Sequence, residues 1–222
     1  MNDSIENPWL ALRGSPYLLD GDRDLINSHN LKYKEDDRIK FQLESLPIPY
    51  IGNPKSKVYL LLLNPGHAPE DLNVQSNDVY KNLWNKNIRH DENFYYINKT
   101  LPMCPGKKYW LGKLRQLIEN CGHENVEGGV FLIQYIAYHS INFKSISSHL
   151  HSQFYARKLT INAIAEGKII VVMRSLKLWL SLIPELSNYK NVISCTNPRN
   201  PNISSKQLGK FYNEILDIIK SK

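Results

Sequence analysis

Four continuous apolar runs divide the chain, and polar or turn-forming residues bound each of them. The runs lie at 57–63, 129–138, 168–173 and 191–195. Short unbroken runs of this kind are typical of strands that are buried on both faces of a parallel sheet. The pattern therefore predicts four strands, and the second contains a single polar interruption, Gln134.

Between and after these runs, apolar residues recur at the spacing of helices. Helices are expected at 22–30, 38–46, 72–84, 110–121, 152–166, 176–183 and 206–219. Strands that alternate with helices indicate a parallel sheet with both faces covered. The predicted fold class is therefore α/β: a three-layer α/β/α sandwich around a four-stranded, mostly parallel sheet.

No linker or internal repeat divides the sequence, so we expect one domain over residues 1–222. Residues 1–50 are expected to be an irregular, partly helical lead-in, and 57–220 to form the core. Residues 47–52 are expected to be extended and to end in a turn, because prolines disfavour the helical conformation before them. Residues 85–108 are expected to be a long loop or flap, with disorder as the alternative.

Composition indicates an ordinary soluble protein. Of 222 residues, 42% are hydrophobic and 22% are charged, and no apolar run is long enough to span a bilayer. The start of the chain lacks the pattern of a secretory signal, and three widely spaced cysteines suit a reducing compartment. We therefore expect a cytoplasmic monomer without a membrane partner. No paired-cysteine motif is present, so no metal or other cofactor is expected.

The net charge is +7, from 28 Lys and Arg against 21 Asp and Glu. A basic balance favours polyanionic partners, nucleic acid first, although these lysines are scattered rather than clustered. The prediction from charge is therefore modest: DNA is the partner class to test.

Three loops follow the ends of predicted strands: 64–67, 134–140 and 195–202. Ligands of open α/β sheets bind beyond the carboxyl ends of the strands. Asn64-Pro65-Gly66 is a sharp turn, since Pro65 cannot donate to a sheet and Gly66 permits unusual backbone angles. We expect Asn64, Gln134 and Asn197 to converge on one cleft.

Two of these loops carry motifs that resemble those of the uracil-DNA glycosylase superfamily, most nearly its single-strand-selective monofunctional and mismatch-specific branches. L-L-N-P-G at 62–66 resembles the family's G-M-N-P-G or G-I-N-P-G, and C-T-N-P-R-N-P at 195–201 resembles H-P-S-P-R-N-P. V-V-M-R-S at 171–175, followed by P-E at 184–185, resembles V-V-x-G-R-x-A with its later P-E. The similarity extends over roughly 57–220 in order and spacing, and N-P-G is a weaker signal than P-R-N-P.

The resemblance implies a DNA glycosylase, which hydrolyses the bond between a deaminated or damaged base, such as uracil, and deoxyribose after flipping the base out of the stack. It implies that the catalytic residues are Asn64, which positions the attacking water, and His67, which resembles the histidine of the D-P-Y-H form of the motif. Thr196 and His67 are the candidates for the donor to the departing base that Cys195 does not supply. The substrate-binding residues it implies are Gly66, Trp110, Gln134, Cys195, Thr196 and Asn197. The DNA-binding residues it implies are Pro198, Arg199 and Asn200.

Two departures from the family keep a second function open. Cys195 occupies the position of a histidine that donates to the departing base, and a neutral thiol is a weak donor. Gln134 stands where the family reads the base with Asn, or it bonds a neighbouring loop. Trp110, in K-Y-W-L-G at 108–112, either stacks on the base or belongs to the core. The alternative is a catalytically silent protein of the same fold that binds nucleic acid or another ligand.

Overall fold

A computed structural model describes residues 5–221. Its centre is one sheet of five strands in the order β1-β3-β2-β4-β5. The strands are β1 (Tyr50–Ile51), β2 (Val58–Leu62), β3 (Val130–Gln134), β4 (Ile169–Val172) and β5 (Val192–Ser194). β1 is antiparallel to β3 and the other pairs are parallel, so the protein is an α/β protein with a mixed sheet.

The expected count of four strands is wrong, because the sheet has a fifth strand at its edge. Tyr50 pairs with Ile133, and Ile51 pairs with Leu132. This strand has only two residues and ends at Gly52, whose φ of +102° turns the chain. A pair of residues is too short to produce a periodic signal, so the segment was expected only to be extended.

The four predicted strands are confirmed, with slightly shorter bounds. Every residue of β2, β3 and β4 is buried, as the unbroken apolar runs indicate. In the register of β2 with β3, Leu62 lies opposite Gln134. The two strands therefore end side by side, and the loops that follow them leave the same edge of the sheet.

Ten α-helices lie within residues 5–221. They are α1 (Arg23–Lys32), α2 (Asp71–Ser76), α3 (Asp78–Ile88), α4 (Pro105–Lys113), α5 (Arg115–Cys121), α6 (His123–Gly129), α7 (His151–Ala165), α8 (Leu176–Leu182), α9 (Ser205–Leu208) and α10 (Phe211–Lys220). One continuous hydrophobic core joins them to the sheet. Across the part of the chain that the structure describes, none of these helices is both long and apolar enough to span a bilayer.

Several predicted helices are interrupted. The helix expected at 72–84 is two helices, because the Asn77 side chain accepts hydrogen bonds from the amides of Val79 and Tyr80 and begins α3. The helix expected at 206–219 breaks at Gly209, whose φ is +54°. The helix expected at 110–121 is divided at Leu114 into α4 and α5.

The helix expected at 38–46 does not form. The Asn30 side chain accepts from the amide of Phe41 at 2.8 Å and donates to the Phe41 carbonyl at 2.9 Å. These bonds occupy the backbone groups that a helix would use. Gln42 instead forms an isolated bridge with His139.

The loop or flap expected at 85–108 is confirmed only as a loop, since no α-helix or strand lies between Ile88 and Pro105. The segment is not a flap, because it contributes to the core. Phe94, Tyr95, Tyr96 and Ile97 are all buried. The rings of Tyr95 and Tyr96 stack with centroids 4.6 Å apart, and the hydroxyls of Tyr96 and Tyr80 are 3.1 Å apart. The aromatic residues of this segment therefore hold it against the core.

Candidate functional site

A cavity of about 350 Å³ opens beyond the carboxyl ends of β2 and β3. That volume lies at the lower end of the range for small-ligand pockets. Its polar lining residues are Asn64, His67, Asp71, Gln134, His139, Ser140 and Arg174. Its aromatic lining residues are Tyr96, Tyr109, Trp110 and Phe143. The site therefore combines flat apolar walls with several groups that can donate or accept hydrogen bonds.

Sequence reasoning placed part of this lining correctly. Asn64, Gly66, His67, Trp110 and Gln134 all border the cavity. The late loop, residues 195–202, was expected to contribute six site residues, and none of them is in the cavity lining. They are Cys195, Thr196, Asn197, Pro198, Arg199 and Asn200. The expected convergence thus holds for the loops after β2 and β3 and does not extend to Asn197.

Asn64 is held in one orientation by its neighbours. Its side-chain nitrogen donates to the Ser140 hydroxyl at 2.9 Å, the Pro65 carbonyl at 3.1 Å and the Tyr138 carbonyl at 3.4 Å. Carbonyl oxygens only accept, so these contacts identify the amide nitrogen. Among the described residues, none donates to Asn64 Oδ1. The residue therefore presents a free acceptor, while its donor end is used to fix the loop.

Gln134 is only 5% exposed, and its Oε1 has no hydrogen-bond partner within residues 5–221. An unsatisfied buried amide oxygen lowers the stability of the fold by on the order of 1–3 kcal/mol. A ligand that donates a hydrogen bond to this oxygen would remove that cost. It lies at the end of β3 and borders the cavity. Gln134 does not bond a neighbouring loop through this oxygen, which leaves it available to a ligand.

Trp110 borders the cavity but is only 4% exposed. Its ring packs edge-on against Phe94, with centroids 5.1 Å apart. The exposed Tyr109 and the half-buried Phe143 line the same space. The core role and the cavity role of Trp110 thus coexist, and two further rings are available for stacking.

Two histidines and one aspartate form a cluster on the cavity wall. Atoms of His67, Asp71 and His139 that could bind a metal ion all lie within 4.8 Å of one another. His67 Nδ1 is buried and has no partner among the described residues. Asp71 Oδ2 accepts from the Ala68 amide at 2.7 Å. Asp71 and His139 were not predicted, although His139 directly follows the second apolar run.

His139 lies between two backbone carbonyls. Its Nδ1 is 2.6 Å from the Gly66 oxygen and its Nε2 is 3.1 Å from the Leu46 oxygen. Burial lowers the pKa of His139, and the two carbonyls oppose that shift. We expect the neutral ring to prevail, since it is shielded from water. A neutral ring can donate to only one of these carbonyls.

Hydrogen bonds to Gln207, rather than contacts with the cavity residues, hold the start of the late loop in place. Gln207 Oε1 accepts from the Asn197 amide at 2.8 Å and from the Thr196 hydroxyl at 3.1 Å. The Cys195 thiol is buried and donates to the Asn202 carbonyl at 3.8 Å. Burial raises the pKa of Cys195 to about 11, so the thiol is neutral near pH 7. The side chains of residues 196–200 remain exposed.

Arg174 connects this loop to the cavity. It follows β4, lines the cavity, and donates from Nη2 to the Arg199 carbonyl at 2.8 Å. Its Nε is buried without a partner, and no acidic side chain within residues 5–221 forms an ion pair with it. Sequence reasoning used Arg174 only as part of a motif and missed it as a site residue. A cation in this position favours an anionic ligand.

Comparison with known proteins adds no relative: no family model, no curated protein and no solved structure matches this chain. The fold and cavity define the class as an α/β protein with a polar ligand site at the carboxyl edge of its sheet.

Proposed function

We propose that this protein is a DNA glycosylase, which hydrolyses the N-glycosidic bond of a deaminated or damaged base, uracil or a related one. The proposal includes the three-layer α/β/α sandwich of the uracil-DNA glycosylase type. The observation that carries it is the convergence of Asn64 and Gln134 on one cavity, each with a side-chain oxygen that accepts no hydrogen bond from any donor within residues 5–221. These are the two residues that the resembled motifs assign to the water and the base.

Asn64 would hold the attacking water. Its Oδ1 can accept a hydrogen bond from water, while the bonds of its nitrogen to Ser140 and Tyr138 keep it from rotating. An amide is not a strong general base, so the residue positions the water rather than taking its proton. Holding a nucleophile at a fixed place lowers the entropic part of the barrier.

Loss of the base leaves negative charge on the base and positive charge on the sugar. Cys195 lies outside the cavity lining and its thiol already donates to Asn202, so it does not take the role of the family histidine. Arg174 is the cation of the cavity wall and can stabilise the departing base electrostatically. In this proposal Arg174 replaces the missing donor.

Gln134 would read the edge of the base. A primary amide offers one acceptor and two donors, which match the alternating groups of a pyrimidine edge. Tyr109, Trp110 and Phe143 supply rings on which a flipped base can stack. The exposed segment Pro198–Asn200 would contact the DNA backbone or fill the vacated stack, with Arg199 as its cation.

One observation favours the second candidate, a silent binder of nucleic acid. The cavity lining has no residue at the position of the family's catalytic histidine, since Cys195 is turned toward Asn202. A protein that kept the cavity and lost the donor could bind a base without releasing it. The decisive observation is base release.

The test compares base release by wild type, Asn64→Ala and Asn213→Ala on single- and double-stranded oligonucleotides that carry uracil, hypoxanthine, xanthine or an oxidised pyrimidine. Asn213 is an exposed asparagine of α10 and serves as the matched control. We expect release by wild type and by Asn213→Ala, and a loss of about a hundredfold or more in Asn64→Ala with DNA affinity largely kept.

Circular dichroism and the melting temperature of each variant check that the fold survives. Equal rates for wild type and Asn64→Ala would remove Asn64 from the chemistry. If wild type releases none of these bases, the protein is not a glycosylase for them and the silent binder replaces the proposal.

A further inference from the structure

We infer that His67, Asp71 and His139 form a binding site for a first-row divalent transition-metal ion on the cavity wall. Two imidazole nitrogens and one carboxylate are a donor set that zinc, cobalt and iron(II) accept. The inference is independent of the glycosylase proposal, because it concerns ion binding alone.

The spacing of the donors is the first argument. The three candidate ligand atoms lie within 4.8 Å of one another. Ligands that are about 2.1 Å from one zinc ion lie about 3.4 Å apart in tetrahedral geometry, so the largest separation in the cluster needs to shorten by up to about 1.4 Å. His67 and Asp71 are only half-buried, so rotation of their side chains can supply this movement.

The contacts of His139 are the second argument. Its Nε2 lies 3.1 Å from the Leu46 carbonyl, and a donated hydrogen bond there is the usual outer contact of a metal-bound histidine. That tautomer leaves Nδ1 without a proton, 2.6 Å from the Gly66 oxygen. The other neutral tautomer donates to Gly66 and leaves the lone pair of Nε2 against the Leu46 oxygen. In either tautomer one ring nitrogen faces a carbonyl oxygen with no proton between them, and a metal ion bound to that nitrogen removes the unfavourable contact.

His67 and Asp71 provide the third argument. His67 Nδ1 is buried and has no hydrogen-bond partner in the described part of the chain, which is costly for a polar atom. The Asp71 carboxylate is oriented through Oδ2 by the Ala68 amide at 2.7 Å, so its other oxygen is available. A metal ion would satisfy both groups at once.

The position of the cluster defines what such an ion could do. All three side chains line the cavity that also contains Asn64 and Gln134. A site with three side-chain ligands and a cavity on its open side retains positions for water or for an oxygen of the ligand, as catalytic rather than structural metal sites do. Asp71 is the sole carboxylate among the residues lining this cavity. The ion would therefore add positive charge to a cavity wall that has only one acidic side chain.

The experiment titrates chelator-treated full-length protein with zinc chloride by calorimetry and with cobalt chloride by visible absorption. The variants are His67→Ala and Asp71→Asn, and the control is His123→Ala. His123 lies 3.6 Å from Glu127 as another histidine–carboxylate pair, away from the cavity. His139 is left intact, since it is buried and contacts two segments of backbone.

We expect one ion per wild-type chain and per His123→Ala chain, and affinity lower by about tenfold to a hundredfold or more in His67→Ala and Asp71→Asn. The ion should raise the melting temperature of wild type and not that of His67→Ala, because a ligand stabilises the state that binds it. The inference is overturned if wild type binds neither ion. It is also overturned if both cavity variants bind as wild type does, or if only His123→Ala loses binding.

Discussion

The side-chain oxygen of Gln134 lies in the cavity wall and has no donor in the described part of the chain, whereas another buried glutamine has both ends of its amide hydrogen-bonded. Gln153 donates to the Tyr135 carbonyl at 2.9 Å and accepts from the Leu150 amide at 2.7 Å. Gln134 and Gln153 are 5% and 3% exposed, so they differ in hydrogen bonding rather than in burial. This pair isolates the cost of an unsatisfied amide.

We predict that Gln134→Leu leaves the free energy of unfolding unchanged or raises it by about 1 kcal/mol, because it removes an oxygen that the fold does not satisfy. The same change should abolish discrimination between bases if Gln134 reads them. Gln153→Leu should lower the free energy of unfolding by about 1–3 kcal/mol, since it leaves the Leu150 amide buried and unpaired. Urea unfolding of the two variants beside wild type measures both effects.

If Gln134→Leu instead destabilised the protein as much as Gln153→Leu, Gln134 would have an ordinary structural role. The functional half of the prediction is checked separately, by the ratio of release or binding for two bases. A variant with unchanged stability and unchanged selectivity would remove Gln134 from recognition.

At the scale of elements, the start of α4 forms the cavity wall that carries Pro105, Gly106, Tyr109 and Trp110. A Cβ added at Gly106 would overlap the ring of Tyr96, chiefly its Cε1 atom. At Gly112, in the same helix, an added Cβ would meet no atom within 4 Å. The close approach of α4 to the aromatic cluster therefore sets the width of this side of the cavity.

We predict that Gly106→Ala lowers the free energy of unfolding by about 1–3 kcal/mol, because the added Cβ would force the ring of Tyr96 away from its stacking contact with Tyr95 and its hydroxyl contact with Tyr80. Gly112→Ala should raise it by up to about 1 kcal/mol, because alanine is the better helix former and has room. Denaturant unfolding of both variants tests this. A stable Gly106→Ala would mean that the cluster of tyrosines yields easily, and the wall would then be adjustable.

The strands of the core could be predicted from the sequence, since a run such as Val58–Leu62 carries its own signal of burial on both faces. The breaks between helices could not, because they depend on single events such as the cap at Asn77 and the positive φ of Gly209. The edge strand Tyr50–Ile51 is defined only by its pairing with Leu132 and Ile133 of β3. Two residues are too few to show a periodic pattern in the sequence.

The same distinction applies to the site. Asn64 and Gln134 could be placed together because Asn64 closely follows the end of β2, Gln134 ends β3, and the two strands are parallel neighbours. His139 could not, because its contacts are with Leu46 and Gly66, far away in sequence. Arg174 follows a predicted strand, but its approach to the carbonyl of Arg199 depends on the path of the late loop.

The net charge of +7 makes any DNA complex of this protein sensitive to salt. The late loop and the cavity lie at the carboxyl edge of the sheet, where Arg174 and Arg199 are found. Lys190 is exposed and lies shortly before the start of β5, so it belongs to the opposite edge of the sheet. Substitutions at the two edges therefore distinguish DNA binding at a defined surface from attraction by the overall charge of the protein.

We predict that log K for DNA falls linearly with log of salt concentration, by about 0.9 per neutralised phosphate of a duplex or about 0.7 for a single strand. Arg199→Ala should weaken binding and reduce this slope by about 1. Lys190→Ala, which removes the same charge from the other edge, should change both much less. Fluorescence anisotropy over a range of salt concentrations gives the slopes.

Equal effects of the two substitutions would indicate that DNA binds through overall charge, without a preferred face. Undetectable affinity at low salt would exclude DNA as the partner and with it the glycosylase proposal.

The loops after β2 and β3 are bonded to each other as well as to the sheet. The amides of Tyr135, Ile136 and Ser140 donate to the carbonyls of Leu62, Leu63 and Pro65 at 3.1, 2.9 and 3.2 Å. The sheet ladder is in effect continued beyond the last strand residues into the cavity floor. A ligand that enters this floor therefore finds it already ordered, and its binding loses little conformational entropy of the protein. Selectivity would then depend on how well a ligand fits a cavity floor of fixed shape. The backbone bonds between the two loops prevent the floor from adjusting to a ligand that fits poorly.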